Sequence, residues 1–268
     1  MAEAALGGQG GAGAVWAAVD ARLFRYRLRR FRQATIDGMT VAFAHEEEFR
    51  RIHQNVFVDD DYRFDSATAS PFILDCGAHI GLSVLAFKAR YPQARIVAFE
   101  PNPAVFPLLR RNVRRNGLAE VELVNAAVAP AAGEIDFYAQ RGGPRDWTWG
   151  GSGVRNRWLD PAASRRITVP AVRLAPYVDR PVDLLKLDVE GMETSVLAGN
   201  EDVLDRVNEI VLEFHGSSTN RANRLEEVLA ILDRHRFDPT VRQGARPVTP
   251  DQVERTDPFW LMIRARRR

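Results

Sequence analysis

Short apolar runs alternate with amphipathic segments along most of this chain of 268 residues. The apolar runs have the length of buried strands and fall at 72–75, 95–99, 121–124, 182–187, 209–214, 237–241 and 259–264. The amphipathic segments repeat apolar residues every three or four positions, as helices do, at 82–90, 104–116, 192–198 and 221–236. This alternation predicts an α/β fold with a mostly parallel seven-stranded sheet and helices on both faces.

The first seventy residues follow a different pattern. Residues 1–14 are rich in glycine and alanine, which favours a disordered lead-in over a signal peptide. The predicted elements after it are an amphipathic helix with an arginine-rich outer face at 15–32, a strand at 39–43 and a helix at 46–57. We therefore expect an N-terminal extension over 15–70 and a main domain over 71–268.

An insertion over 129–172 interrupts the main domain between its third and fourth strands. Strand patterns at 134–138 and 167–172 flank a loop around 141–156 that contains five glycines and two tryptophans, Trp147 and Trp149. Long glycine-rich loops in compact domains are typically lids or binding loops, and a plain surface hairpin is the alternative. As a lid, the loop would let its tryptophans stack on a ring of a bound ligand, such as a sugar.

Composition narrows the class of protein. The single cysteine, Cys76, excludes an intrachain disulfide and a cysteine-based zinc site, so a reducing cytoplasm is the expected location. No apolar run is long enough to cross a bilayer, and we expect no stable membrane insertion. A net charge of +2 gives no sign of DNA binding, although arginines are concentrated near both ends of the chain.

The first strand of the predicted sheet runs directly into a glycine-containing turn. The turn offers Asp75, Gly77, Ala78, His79 and Gly81 as ligand contacts. The glycines let the backbone turn sharply and approach a ligand, and the following helix N-terminus offers N–H groups to an anion. Asp75 suits an amino group and the helix terminus a carboxylate, so an amino acid-like ligand is expected. The G-x-G-x-x-G and G-K-[ST] nucleotide motifs are absent.

An acidic residue ends the second strand, in the segment Glu100, Pro101 and Asn102. It lies about twenty residues beyond the glycine turn, where a carboxylate can accept hydrogen bonds from both hydroxyls of a ribose. A solvated strand-end carboxylate is the alternative, but it leaves the matching positions of the two motifs unexplained. A ribose joined to an amino acid is S-adenosylmethionine, which we therefore predict as the cofactor.

With these motifs the chain resembles the FkbM family of S-adenosylmethionine-dependent O-methyltransferases. The resemblance covers about residues 70–216 and rests on Phe-Ile-Leu-Asp-Cys-Gly-Ala-His-Ile-Gly at 72–81, Val-Ala-Phe-Glu-Pro-Asn at 97–102, Asn-Ala-Ala-Val at 125–128, Leu-Lys-Leu-Asp-Val-Glu-Gly at 185–191 and Leu-Glu-Phe-His at 212–215. His79 is a departure, because the family usually has asparagine there. The resemblance implies a Rossmann-like class I methyltransferase fold with a final antiparallel strand inserted in the sheet. It also makes Asn125 and Ala126 adenine contacts.

Carboxylates follow the fourth and fifth strands. Asp188 ends the fourth strand, Glu190 and Glu193 follow it, and Glu213 lies near the end of the fifth. The first three could stabilise a helix N-terminus, hold a divalent ion such as Mg²⁺, or contact ligands. Because no complete ligand set is evident, we predict no metal. We expect Asp188 to contact the cofactor, and Glu190, Glu193 and Glu213 to contact the acceptor.

His215 is the predicted general base. Methyl transfer to an alcohol is an in-line displacement in which the hydroxyl must lose its proton, and an imidazole with a pKa of about 6.5 suits that role. Asp188 and His79 are the rival candidates. His215 and Asp188 are therefore the predicted catalytic residues.

The favoured function is S-adenosylmethionine-dependent O-methylation of a small molecule, with S-adenosylhomocysteine as the second product. By resemblance the acceptor is a sugar, a polyketide-type natural product or a glycolipid. An RNA methyltransferase that uses the arginine-rich ends and a non-catalytic cofactor-binding protein are the alternatives. The missing G-x-G-x-x-G pattern disfavours a nicotinamide-dependent reductase. The sequence leaves the oligomeric state open, with a homodimer as one option.

Overall fold

A mixed sheet of eight strands is the largest element among the described residues, which are 31–140, 150–154 and 164–268 of this computed structural model. The strands, in chain order, are β1 (Arg32–Ile36), β2 (Met39–Phe43), β3 (Phe72–Cys76), β4 (Arg95–Phe99), β5 (Val121–Val124), β6 (Ala127–Val128), β7 (Gly133–Gln140), β8 (Ser164–Val172), β9 (Val182–Leu187), β10 (Val207–Gly216), β11 (Phe237–Gln243), β12 (Arg246–Val248) and β13 (Phe259–Arg267). The α-helices are α1 (Glu46–His53), α2 (Leu82–Arg90), α3 (Phe106–Arg115), α4 (Glu193–Gly199), α5 (Glu201–Leu204) and α6 (Leu225–Arg234).

The strand order gives this sheet a parallel centre. Across the sheet the order is β12, β11, β13, β10, β9, β3, β4 and β5. The strands from β10 to β5 pair in parallel, whereas β13 runs antiparallel between β10 and β11. The expected Rossmann-like α/β fold, with its inserted antiparallel strand, is therefore confirmed.

The expectation of seven strands was wrong by one, because β12 adds an eighth at the sheet edge, antiparallel to β11. This strand has three residues and contains Pro247. Proline cannot donate a hydrogen bond to a neighbouring strand and is typical of sheet edges, so the segment gave no strand signal in the sequence. The sheet is therefore mixed, with a parallel centre and antiparallel strands at one side.

The fifth predicted strand is longer than expected. It was predicted at 209–214, whereas β10 runs from Val207 to Gly216. His215 therefore lies inside the strand, opposite Trp260 of β13 in the antiparallel register. Its position in the ladder fixes the direction in which its side chain leaves the sheet.

A β-hairpin opens the described part of the N-terminal extension. The lead-in over 1–14 and most of the helix predicted over 15–32 lie outside the described residues, and Arg32 begins β1 instead of ending a helix. β1 and β2 pair around Asp37 and Gly38, which both have positive φ, as two-residue hairpin turns require. The strand predicted at 39–43 and the helix predicted at 46–57 are present as β2 and α1, which continues as a π-helical turn at Gln54–Val58.

The insertion contributes a second, three-stranded sheet in the order β6, β8, β7. The strands predicted at 134–138 and 167–172 correspond to β7 and β8. Part of the glycine-rich loop is also described: the backbone of Ser152 exchanges hydrogen bonds of 2.7 and 3.1 Å with Tyr138 of β7. Trp147 and Trp149, the predicted sugar-stacking residues, lie outside the described residues.

Two hydrophobic clusters, one on each face of the large sheet, bury its central strands. On β3, Phe72 and Leu74 belong to one cluster and Ile73 to the other. Helices α4 and α6 contribute to the first cluster, and α2, α3 and the β1–β2 hairpin contribute to the second. Both faces are thus covered, as the apolar runs predicted. In the described ranges, no helix combines the length and apolarity needed to cross a bilayer.

Asn112 of α3 links the β1–β2 hairpin to the main domain through hydrogen bonds. The fully buried Asn112 side chain accepts a hydrogen bond from the Ala42 N–H at 2.7 Å and donates to the carbonyls of Ala42 and Ile80 at 3.0 and 2.8 Å. One turn later, Asn116 pairs in the same way with Thr40, but it is only partly buried.

We expect Asn112→Ala to lower the free energy of unfolding by about 2–3 kcal/mol, because it leaves buried backbone groups without partners. Asn116→Ala is the matched control and should cost less than half as much, since water can reach Thr40. Chemical denaturation of both variants provides the comparison. Equal losses would contradict the role given to burial.

Candidate active site

A cavity opens at the carboxyl ends of β3, β4 and β9. Its empty volume is about 980 Å³, including the part open to solvent. The carboxyl ends of parallel strands are where such sheets bind ligands. The predicted site residues that line it are Gly77, Ala78, His79, Glu100, Pro101, Asn102, Ala126, Asp188, Glu190 and Glu213. The other predicted residues lie behind the residues that line the cavity: Asp75, Gly81, Asn125, Glu193 and His215.

The glycine turn is possible only because Gly77 has no side chain. Gly77 has a φ of +93°, and a Cβ atom on it would lie 1.9 Å from the carbonyl oxygen of Asp188. The turn therefore comes directly against the end of β9. Gly81 starts α2 with a φ of +94°, and a Cβ atom there would meet Leu109. Gly77 thus shapes the cavity, and Gly81 serves helix packing.

Asp75 is fully buried beneath this turn. Its carboxylate accepts a hydrogen bond of 2.5 Å from the Ser83 hydroxyl and lies 3.1 Å from the Lys186 ammonium. The sequence suggested that Asp75 contacts a ligand amine directly. In the structure, Ser83 and Lys186 surround its carboxylate instead. Asp75 and Lys186 are direct neighbours in the parallel pairing of β3 and β9.

Lys186 connects several parts of the site. Its ammonium donates to the Gly77 carbonyl at 2.9 Å, lies 3.6 Å from an Asp188 oxygen and sits 4.8 Å from the centre of the Tyr62 ring. Burial disfavours its charge, but the carboxylates of Asp75 and Asp188 outweigh burial and raise the pKa of Lys186. Lys186 is therefore a permanent buried cation.

Glu100, the predicted ribose contact, is held by backbone N–H groups. Its two oxygens accept hydrogen bonds from the backbone N–H groups of His79 at 2.9 Å and Asn102 at 2.7 Å. Burial raises the pKa of Glu100 to about 7, against the lowering effect of these hydrogen bonds. The backbone of the glycine turn and the end of β4 therefore hold one carboxylate together.

Asn125 supports this arrangement from the adjacent strand end. Its side-chain amide donates to the carbonyls of Glu100 at 2.8 Å and Pro101 at 3.3 Å. Ala126, the next residue, lines the cavity. Of the two predicted adenine contacts, Ala126 faces the cavity and Asn125 fixes the neighbouring backbone.

Carboxylates dominate the inner end of the cavity. The hydroxyl of Tyr62 donates to Asp188 Oδ2 at 3.2 Å and to Glu213 Oε2 at 3.4 Å. Burial and the nearby carboxylates raise the pKa of Glu213 to about 8. Burial likewise raises the pKa of Glu190 to about 7, although His215 acts in the opposite direction. This part of the cavity therefore suits hydroxyl groups or cations.

The loop after β9 turns sharply to present Glu190. Glu190 and Gly191 have positive φ of 53° and 101°. The Ser152 hydroxyl donates to the Glu190 carbonyl at 2.6 Å, and the Gly150 backbone N–H donates to its carboxylate. The predicted glycine-rich loop thus reaches the site at residues 150–154.

His215 lies among three carboxylates. Its Nδ1 is 3.0 Å from Glu193 Oε1, and its Nε2 is 3.4 Å from Glu190 and 3.6 Å from Glu213. Burial opposes a charged imidazole, but Glu190 and Glu193 raise the pKa of His215 well above its usual value. Together with Asp188 and Glu190, His215 could also bind a metal ion, because one donor atom of each lies within 4.8 Å of the others.

His79 lies at the other side of the cavity, with a φ of +48°. Its Nε2 is 3.6 Å from Glu48 of α1. Burial lowers the pKa of His79, against the opposing effect of Glu48. Its imidazole is therefore neutral around pH 7.

Sequence reasoning missed the roles of Tyr62, Ser83, Lys186 and Asn223. Lys186 and Ser83 stand inside or beside the motifs, and a lysine in a buried strand was a usable signal, because such a charge needs a partner. Tyr62 comes from a segment without a recognisable pattern. Asn223 lies in the range predicted as a helix, but α6 begins only at Leu225. Asn223 donates to Glu193 and to the His215 carbonyl, a relation that only the folded chain reveals.

This chain is similar to known methyltransferases in sequence. The profile of the "Methyltransferase FkbM domain" family matches residues 75–239. Methyltransferase sdnD of Sordaria araneosa is 31% identical over 247 residues, covering 82% of this chain and 90% of the relative. The 31-O-demethyl-FK506 methyltransferase FkbM of Streptomyces tacrolimicus is 28% identical, covering 77% and 88%. Among solved structures, the N-terminal domain of EvdMO1 with SAH bound has a TM-score of 0.46 and 14% identity, covering 93% of this chain and 98% of that one.

We expect Lys186→Met to destabilise the protein by about 3–5 kcal/mol, because Asp75 would be left buried without its counter-ion. Adding Asp75→Asn to that variant should recover a large part of the loss, since the second change removes the unpaired charge. Denaturation of both single variants and the double variant measures the coupling. Strictly additive losses would contradict the ion pair.

Proposed function

The chain belongs to the FkbM methyltransferase family, and from that premise we propose that it transfers the methyl group of S-adenosylmethionine to a hydroxyl oxygen of a small molecule. The observation that carries this proposal is a single cavity with Glu100 at the end of β4 and Asp188 and Glu190 beyond the end of β9. The first position suits the ribose of the cofactor, and the other two suit a hydroxylated acceptor.

For the cofactor, we propose that Glu100 accepts hydrogen bonds from the ribose hydroxyls. Gly77, Ala78 and His79 would contact the amino acid portion, and Pro101, Asn102 and Ala126 would contact the nucleoside. Asp75, Gly81 and Asn125 would support these contacts from behind. When bound, the cofactor supplies an electrophilic methyl group on a sulfonium, and the protein must align that methyl with the acceptor oxygen.

The acceptor oxygen would attack the methyl carbon as the S–CH₃ bond breaks, and the electron pair of that bond would remain on sulfur. We propose that Asp188 takes the hydroxyl proton. Asp188 Oδ1 is buried and has no hydrogen-bond partner among the described residues, while Oδ2 is bonded to Tyr62. The products are a methyl ether and S-adenosylhomocysteine. His215, the other predicted base, would have to act from behind Glu190 and Glu213.

The acceptor class rests on analogy and on the carboxylates. The Streptomyces relative is named as a 31-O-demethyl-FK506 methyltransferase, which supports oxygen as the acceptor atom. Glu190 and Glu213 line the cavity beside Asp188 and can accept hydrogen bonds from further hydroxyls. Glu193 would act through His215. We propose a polyhydroxylated acceptor such as a sugar, a glycolipid headgroup or a polyketide-type natural product.

The C-terminal arginines favour this proposal over RNA methylation. Arg264 and Arg266 pair with Glu209, Arg268 pairs with Asp233, and Arg267 donates to the carbonyls of Val207, Leu204 and His235. These contacts link β13 to β10 and to neighbouring segments, so the arginine side chains are less available to phosphates than the sequence suggested. The predicted cytoplasmic location stays a prediction.

The cofactor proposal predicts pH-dependent binding. Ribose binding requires ionised Glu100, whose pKa of about 7 lies above its usual value because of burial. Calorimetric affinity for S-adenosylmethionine should therefore fall about tenfold from pH 8 to pH 6 as Glu100 becomes protonated. Lys186, which lowers this pKa, stays charged throughout.

Glu100→Gln is the matched control for that measurement. It should bind the cofactor more weakly than the wild type at pH 8 and lose the part of the pH slope that Glu100 causes. A smaller slope should remain, because Glu190 and Glu213 line the same cavity and have pKa values of about 7 and about 8. An unchanged pH slope in Glu100→Gln would contradict the role of Glu100.

The choice of base is tested by Asp188→Asn. We expect kcat for methyl transfer from labelled cofactor to a hydroxylated acceptor to fall about 10²–10⁴-fold, because the proton acceptor is lost. Binding of S-adenosylhomocysteine should remain within a few-fold of the wild type. If Asp188→Asn keeps its kcat while His215→Asn loses it, the base is His215.

A further inference from the structure

The inner end of the cavity gathers the donor types of a metal centre. Asp188, Glu190 and His215 each offer one donor atom, and these atoms lie within 4.8 Å of one another. Ligands on opposite sides of an ion with bonds of about 2.1 Å are about 4.2 Å apart, so small side-chain movements would bring all three into a first coordination sphere. The two carboxylates and the imidazole come together only because β9 and β10 pair in this register.

Glu193 orients the imidazole in the manner of a metal-binding histidine. Its carboxylate is fully buried, accepts a hydrogen bond of 2.9 Å from the Gly191 N–H and also accepts one from Asn223. His215 Nδ1 lies 3.0 Å from this fixed carboxylate, which directs Nε2 towards Glu190. Metal-ligating histidines commonly donate their second ring N–H to a carboxylate in this way.

Asp188 supplies an independent observation. Its Oδ1 is buried and has no hydrogen-bond partner among the described residues. A buried carboxylate oxygen without a donor is costly, so native structures seldom leave one. Tyr62 occupies Oδ2, which leaves Oδ1 as the oxygen that a bound cation would satisfy.

The local charge balance also favours a cation. Asp75 and Lys186 compensate each other at 3.1 Å. Three further carboxylates, those of Glu190, Glu193 and Glu213, lie within 3.6 Å of the His215 imidazole. Asp188 adds a fourth carboxylate to this group. Buried carboxylates in excess over cations require a positive ligand or protons.

From these contacts we infer that the chain binds a divalent cation at this position, with Asp188, Glu190 and His215 as its protein ligands. The mixed oxygen and nitrogen donors, without a thiolate, favour an ion such as Mn²⁺ over Ca²⁺. The inference rests on the proposed function and deepens it: an ion here would bind the acceptor hydroxyl and favour its ionised form, and Asp188 would then act as a ligand of the ion instead of taking the proton itself. It replaces our expectation of a metal-free site.

Titration of metal-stripped full-length protein with Mn²⁺, followed by the electron paramagnetic resonance signal of the free ion, tests the inference. We expect binding of about one equivalent without cofactor. Glu190→Gln and His215→Gln should abolish it, and Glu193→Gln should weaken it about 10–100-fold. If His215→Gln does not fold, Glu190→Gln decides the question, because Glu190 lines the cavity and its removal leaves the His215–Glu193 contact in place.

His235→Gln is the matched control. His235 also lies between two carboxylates, Asp205 at 3.0 Å and Glu201 at 2.9 Å, but far nearer the surface. It should leave Mn²⁺ binding unchanged. The inference fails if the wild type does not bind Mn²⁺ at millimolar concentration, if Glu190→Gln binds normally, or if His235→Gln removes binding.

Calorimetry with S-adenosylmethionine on the same samples separates the two proposals. Cofactor binding without Mn²⁺ binding would overturn the metal site alone, and would assign the carboxylates to the sulfonium or the acceptor. Mn²⁺ binding without cofactor binding would overturn the methyltransferase proposal and leave the metal site standing.

Discussion

The ion pair between Lys186 and Asp75 is the interaction on which the site depends. It joins neighbouring residues of β9 and β3 beneath the glycine turn, and the same ammonium holds the carbonyl of Gly77. Because Gly77 has no side chain, the turn comes directly against the Asp188 carbonyl. The ends of β9 and β3 therefore hold each other in position, so the backbone that lines the cavity is in place before a ligand binds. Such preorganisation reduces the ordering that ligand binding requires.

This pair also determines the charge of the cavity. Lys186 is engaged beneath the turn, so it compensates only part of the carboxylates above it. Asp188, Glu190 and Glu213 line the cavity, with His215 and Glu193 behind them. The result is an electronegative inner end beside a more apolar region around Phe99 and Val128. The negative charge at this end attracts both the proposed sulfonium cofactor and the inferred divalent ion. The same carboxylates can accept hydrogen bonds from the hydroxyl groups of the substrate.

Most of the fold and the cofactor side of the site could be predicted from the sequence, because they rest on local patterns. The turn at Gly77 and the acidic residue Glu100 each follow an apolar strand within a few residues, so their positions follow from strand ends alone. The contacts of Tyr62 could not be predicted in this way. It reaches Asp188 across 126 positions of sequence and Glu213 across 151, from a segment without a periodic pattern. The short edge strand around Pro247 could not be predicted for a related reason. It is defined by its pairing with β11 and not by its own composition.

By itself, the sequence determined the α/β alternation, the two late strands, the glycine turn and the group of carboxylates after β9 and within β10, whereas the insertion of the last strand was implied by the family resemblance. Only the tertiary structure decided which of these groups meet. It put Asp75 behind the turn with Lys186, and it placed Glu193 behind His215 while Glu190 and Glu213 face the cavity. The physical reason is that the side-chain direction of a strand residue depends on its register against neighbouring strands, and burial and charge then depend on atoms from distant segments. Local sequence can supply the reactive groups, but their protonation and partners belong to the folded chain.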